Sequence, residues 1–247
     1  MEKGWHKQLT DTDMHIVPGI DDGAATMEEA LEMVEAAVAQ GVNTILVTPH
    51  SEAFDRDADM VKRGFEKLKK AVADKGLPVF LYPGCEVLCS EFTVDKCIRK
   101  LRSGRYPTLS ETDHILLEFD PEADSADEVI YCIDELMEAG YKPILAHVER
   151  YRFTDVLPVT DFRDRGAKIQ ICAFSVQNEA NAHIRNTAND LLAKQLVDYV
   201  GTDAHGMEQR PPMIWEGARV IESTYGEVYA RRILVENTRR LILEKRG

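Results

Sequence analysis

Apolar side chains follow two alternating rhythms along the chain. Short runs that are near-continuously apolar or alternate with period two, at 11–17, 43–48, 79–83, 114–119, 143–146, 168–173 and 197–201, predict seven strands of largely buried, parallel type. Between them lie stretches with helical period, such as Leu31, Val34 and Val38, or Ile130, Ile133 and Met137. Thr26-Met27-Glu28-Glu29 and Ser125-Ala126-Asp127-Glu128 fit the capping box that opens a helix, and Gly41 and Gly140 stand where a glycine closes one. A charged helix over 57–75 and a last one over 228–245 complete the pattern. Strand followed by helix along the whole length predicts one α/β domain spanning 1–247, a barrel of parallel βα units; an open doubly wound sheet is the competing arrangement.

The 247 residues suffice for such a barrel, and 44% hydrophobic with 30% charged residues excludes disorder and fibre. A net charge of −13 argues against a nucleic-acid surface, which needs clustered Lys and Arg to neutralise phosphates. No apolar stretch approaches the roughly 18 residues of a membrane span, and residues 1–10 lack the apolar core of a signal peptide. The expectation is therefore a cytoplasmic protein without membrane insertion. Five cysteines with no Cys-x-x-Cys pair support neither a disulfide framework nor a zinc knuckle, and reduced, buried thiols are expected.

The predicted strands share one chemical habit: their carboxyl ends carry ligand-type side chains. The first opens Asp11-Thr12-Asp13-Met14-His15, whose period of two sets three such groups on one face. It is followed by the acidic turn Gly19-Ile20-Asp21-Asp22-Gly23. Later runs end in Thr48-Pro49-His50, Gly84-Cys85-Glu86, Leu117-Glu118, Ala146-His147-Val148-Glu149-Arg150 and Thr202-Asp203-Ala204-His205. In a parallel α/β fold all strand carboxyl ends meet on one rim, where active sites collect, so these residues converge despite their separation in sequence. Mixed imidazole and carboxylate donors without thiolates suit Mn, Fe or Zn, and they outnumber what one ion accepts. Clustered cations of this kind activate water against phosphoesters, leaving arginines to grip the phosphate.

These motifs resemble the PHP (polymerase and histidinol phosphatase) superfamily over nearly the whole chain. Within it they are most similar to the manganese-dependent protein-tyrosine phosphatases of bacterial capsule and exopolysaccharide operons. The resemblance implies a distorted seven-stranded βα barrel and a centre of two or three ions. It assigns Asp13, His15, Glu86 and Asp203 to one ion, Glu86, Glu118 and His147 to a second, and Asp22, His50 and His205 to a third. Arg150 and Arg210 match the arginines that hold the substrate phosphate. A tyrosine kinase governing polysaccharide export is the implied protein substrate; a histidinol-phosphate or sugar-phosphate phosphatase, and a weakened phosphotyrosine-binding module, are the alternatives. Where the family's opening carries a first histidine this chain has Asp13, a harder donor that tilts the centre toward Mn or Mg. The acidic, helix-rich surface leaves room for homo-oligomers.

Other residues are read as structural. His114 begins the strand whose far end bears Glu118, His6 lies in an expected loose terminus, and His183 belongs to a helix surface. The segments 54–59 and 151–160 follow ligand-bearing strand ends and are candidate pocket walls. Within them Phe54, Tyr151 and Phe153 are candidates to stack on a phosphotyrosine ring.

Overall fold

All seven predicted strands are present, and an additional short strand follows the third. The structure, a computed structural model, describes residues 4–120, 125–152 and 156–244. Strands β1 (Leu9–Met14), β2 (Val42–Val47) and β3 (Phe80–Pro83) form one parallel sheet. The chain then passes Gly84 and Cys85 and resumes as β4 (Glu86–Leu88). That strand opens a second parallel sheet with β5 (His114–Glu118), β6 (Lys142–Leu145), β7 (Lys168–Cys172) and β8 (Tyr199–Gly201). The break sits at Gly84, where a Cβ would lie 2.7 Å from the Leu109 side chain. Backbone contacts stitch the sheets at both seams: Asp203 N donates to Asp13 O at 2.9 Å and His15 N to Ala204 O at 3.0 Å, while Glu86 N donates to Pro49 O at 3.1 Å.

Helices cover the sheets. They are α1 (Met27–Ala39), α2 (Ser51–Asp74), α3 (Val94–Arg102), α4 (Ala126–Glu138), α5 (Val156–Asp164), α6 (Ala182–Ala193), α7 (Trp215–Tyr225), α8 (Glu227–Arg231) and α9 (Asn237–Leu243). Thr26 caps α1 by accepting from Glu29 N, and Gly41 and Gly140 follow α1 and α4 at φ +93° and +90°. The helix expected from 57 begins earlier, at Ser51, but bends at Asp57 (φ −155°, ψ 91°), whose carboxylate accepts from Met60 N and restarts it. The single helix expected over 228–245 is interrupted by a π-helical turn at Arg232–Glu236. There Thr10 Oγ1 donates to Leu234 O at 2.8 Å, competing for a carbonyl of the helical ladder. The terminus around His6 is not loose: Gly4–Gln8 forms a short 3-10 helix with Trp5 and His6 buried. Among the described residues no helix is long and apolar enough to cross a membrane.

Candidate metal centre

Seven segments deliver the candidate ligands to one place. Asp13 and His15 come from the end of β1, Asp22 from the turn beyond it, and His50 from the start of α2. Glu86 opens β4, Glu118 closes β5, His147 follows β6, and Asp203 and His205 follow β8. Ligand atoms of Asp13, His15, Glu86 and Asp203 lie within 4.8 Å of one another, and all four residues are buried. A second such group comprises His50, Glu86 and Glu118, beside which His147 Nε2 stands 2.9 Å from Glu86 and 3.6 Å from Glu118. A third comprises His15, Asp22, His50 and His205. All nine predicted residues are thus brought together, with His50 and His15 each within reach of one more group than the resemblance implies. Asp11, on the same face by periodicity, belongs to none of them; its carboxylate accepts from Thr202 N and Oγ1 at 2.9 and 2.6 Å.

The residues fit divalent cations on two counts. The donor set is imidazole and carboxylate throughout, and buried polar atoms here lack hydrogen-bond partners: His15 Nε2, Glu86 Oε2 and His147 Nδ1. The charges are correspondingly strained. Burial would raise the Glu86 carboxyl, yet the hydrogen bond with His147 and the close approach of His15 hold it well below the usual range. Burial and then the Glu86 charge push Glu118 up to about 8, and although burial opposes it, Glu86 lifts His147 to about 9. Burial and neighbouring His15 lower His205 to about 4.

Several supporting residues carry no ligand-like signal of their own. Asp21 accepts from His15 Nδ1 (3.2 Å) and from the His50 backbone N (3.0 Å), orienting the His15 ring and anchoring the His50 backbone; despite burial, the bond with His15 holds its carboxyl at about 2. Thr48 Oγ1 donates to Asp13 Oδ1 at 2.6 Å, and Gln170 spans from Thr12 Oγ1 to His147 N. A Cβ on Gly23 would come within 2.1 Å of His15 O, so the acidic turn closes over the first strand only with glycine there. His147 (φ +32°) and Asp203 (φ +53°) both hold left-handed backbone, which non-glycine residues rarely adopt.

Arg150 and Arg210 converge on one atom. Arg150 Nη1 and Arg210 Nη1 both donate to Asp203 Oδ2, the latter at 2.6 Å, and Arg150 also reaches Cys172 Sγ at 3.1 Å. The proposed aromatic walls are corrected: Phe54 and Tyr151 are buried, Tyr151 with its hydroxyl accepting from Phe119 N at 3.1 Å, and Phe153 lies outside the described residues. Residue 156 onward begins α5. Exposed apolar side chains that follow strand ends on this side include Leu88, paired in register with Glu118, and Phe174, two residues past Cys172. His114 occupies the opposite end of β5 and His183 is exposed on α6.

A family model described as "Capsular polysaccharide synthesis, CpsB/CapC" matches residues 9–243. The tyrosine-protein phosphatase YwqE of Bacillus subtilis (strain 168) is 30% identical over 225 residues, covering 88% of this chain and 85% of that protein. The tyrosine-protein phosphatase CpsB of Streptococcus pneumoniae is 26% identical over 249 residues, covering 96% and 99%. A crystal structure from work on these two, described as "unique metal-dependent tyrosine phosphatases", superposes with a TM-score of 0.86 at 26% identity, covering 96% of this chain and 95% of that one.

Proposed function

The chain belongs to the CpsB/CapC family of capsular polysaccharide synthesis, and from that premise we propose that it is a metal-dependent protein-tyrosine phosphatase. The observation that carries the reading is the placement of two arginines on Asp203, at the edge of a cluster of carboxylates and imidazoles with unpartnered buried atoms. In this reading Asp13, His15, Glu86 and Asp203 hold one cation, Glu86, Glu118 and His147 a second, and Asp22, His50 and His205 a third. Manganese is the proposed metal, with Fe, Zn or Mg as substitutes. When bound, such cations would supply Lewis-acid polarisation of the phosphoryl group and an acidified water.

The chain's own residues supply the rest. Arg150 and Arg210 exchange their pairing with Asp203 for the substrate's phosphate oxygens, a geometry that suits the planar guanidinium. Asp21 fixes the His15 ring through Nδ1, leaving Nε2 to face Asp13, Glu86 and Asp203. Leu88 and Phe174 offer apolar surface to an aryl group at the mouth, which favours phosphotyrosine over histidinol phosphate or a sugar phosphate. Cys172, adjacent to the site, is not the nucleophile of this reaction: it is buried and its thiol is pushed well above the ordinary range by that burial. The two sheets and their stitched seams support a single closed, distorted βα barrel over 1–247, and the substrate we infer is a phosphorylated tyrosine kinase of the capsule system.

The test is turnover of a tyrosine-phosphorylated peptide by manganese-loaded protein, with histidinol phosphate and a sugar phosphate in parallel. A kcat/KM for the phosphopeptide above both small substrates is expected. Tight metal binding with no phosphate release from the peptide would refute the assignment.

A further inference from the structure

Three buried thiols outside the metal centre form a cluster that phosphoester hydrolysis does not use. Cys89 directly follows β4, Cys97 lies on α3 and Cys132 on α4. The neighbouring Cys132 and Cys97 thiols, ahead of burial, hold the Cys89 thiol well above its ordinary range. Cys97 Sγ also reaches the Leu88 carbonyl at 3.7 Å, the peptide unit that leads into Cys89. Cys89 and Cys97, unlike Cys132, line a cavity of about 540 Å³ together with Ser51, Leu88, Lys96 and Phe119. Ser51 and Phe119 are the immediate chain neighbours of the candidate ligands His50 and Glu118. A small oxidant that enters this cavity therefore meets this pair of sulfurs.

We propose that Cys97 and Cys89 form a hydroperoxide-sensitive dithiol whose oxidation to a disulfide acts on the metal centre. The Cys97 sulfur attacks the peroxide, the O–O bond breaks, and a sulfenic acid forms with release of one water. Cys89 then displaces that oxygen, its thiol proton leaving with the second water, so two thiols lose two electrons to one peroxide. Contact with Cys89 holds the Cys97 thiol below its ordinary range against burial, aided by the charges of Lys100 and Lys96, which suits it to the first step. The coupling to the centre is short. Cys89 N donates to Glu118 O at 2.9 Å, and β4 carries Glu86 three residues earlier. A bond that draws Cys89 toward α3 shifts the strand holding one ligand and the backbone contact holding another.

The experiment exposes the metal-loaded full chain to hydrogen peroxide, blocks remaining thiols and maps linked peptides by mass spectrometry, with activity followed before and after dithiothreitol. Expected is a Cys89–Cys97 link, a loss of activity on the order of tenfold to a hundredfold, as displaced catalytic geometry produces, and recovery on reduction. Cys97→Ser should retain its starting activity and resist peroxide; Cys97→Ala serves if the serine variant folds poorly. No Cys89–Cys97 link, a link from Cys89 to Cys132 in its place, or equal inactivation of the Cys97 variants overturns the proposal. The peptide map reads out independently of the phosphatase reading.

Discussion

The two rims of the sheets treat the same residue types in opposite ways. At the amino-terminal rim the buried rings are matched to partners: His6 Nε2 lies 2.9 Å from Glu222 with its ring against Trp5 and Trp215, and Trp5 Nε1 donates to Glu227 at 3.2 Å. His114, also on that side, is met by Thr112, and burial lowers its pKa, keeping it neutral. At the carboxyl rim the accounting fails. Three histidines crowd Glu86, two arginines crowd one oxygen of Asp203, and His15, Glu86 and His147 each have a buried atom without a partner. A buried histidine is thus structural or functional according to whether its neighbourhood is electrically complete.

The harshest way to break this contrast is Glu86→Gln, which removes the charge that two candidate cation groups share. Metal content should drop and kcat/KM should fall on the order of a thousandfold or more; near-normal turnover, read beside elemental analysis, would mean that the crowding at Glu86 has no catalytic meaning. Next comes proton release. With His147 at about 9 and Glu118 at about 8, both groups hold protons near pH 7, yet only their deprotonated forms ligate. Manganese added to metal-stripped protein in weak buffer should therefore acidify the solution by more than about one proton per chain, with the release shrinking as the starting pH passes the higher of the two values. A pH electrode that records no change would count against their role as ligands. The smallest effect belongs to the other rim: His6→Ala should lower stability by about 1–2 kcal/mol, the scale of a lost hydrogen bond and ring packing. Chemical denaturation measures that, while kcat/KM should stay within about twofold.

The sequence carried much of this because strand ends are local features. Each apolar run terminates beside its ligand, and parallel connections bring the ends together whatever lies between. What stayed hidden depends on pairing across the fold. β4 is three residues long and was invisible beside the longer run of β3; it exists because Glu86, Val87 and Leu88 pair with β5. Asp11 kept the period of its strand but found Thr202, a partner from the far end of the chain. Gln170 and Thr48 look like ordinary strand residues until the neighbouring strands place them against His147 and Asp13. Phe54 and Tyr151 follow ligand-bearing strand ends as pocket walls would, but helix packing and a hydroxyl on Phe119 N turn both inward.

The left-handed backbone at His147 and Asp203 sets two selection pressures against each other. Glycine or asparagine relieves a left-handed conformation, so variants chosen only for thermal resistance or cellular abundance gain from such replacements at these two positions. The same replacements delete an imidazole and a carboxylate from the centre. A lineage that abandoned the chemistry while keeping the scaffold would carry its history there: a cooler-looking backbone at 147 and 203, a more robust protein, and a silent rim.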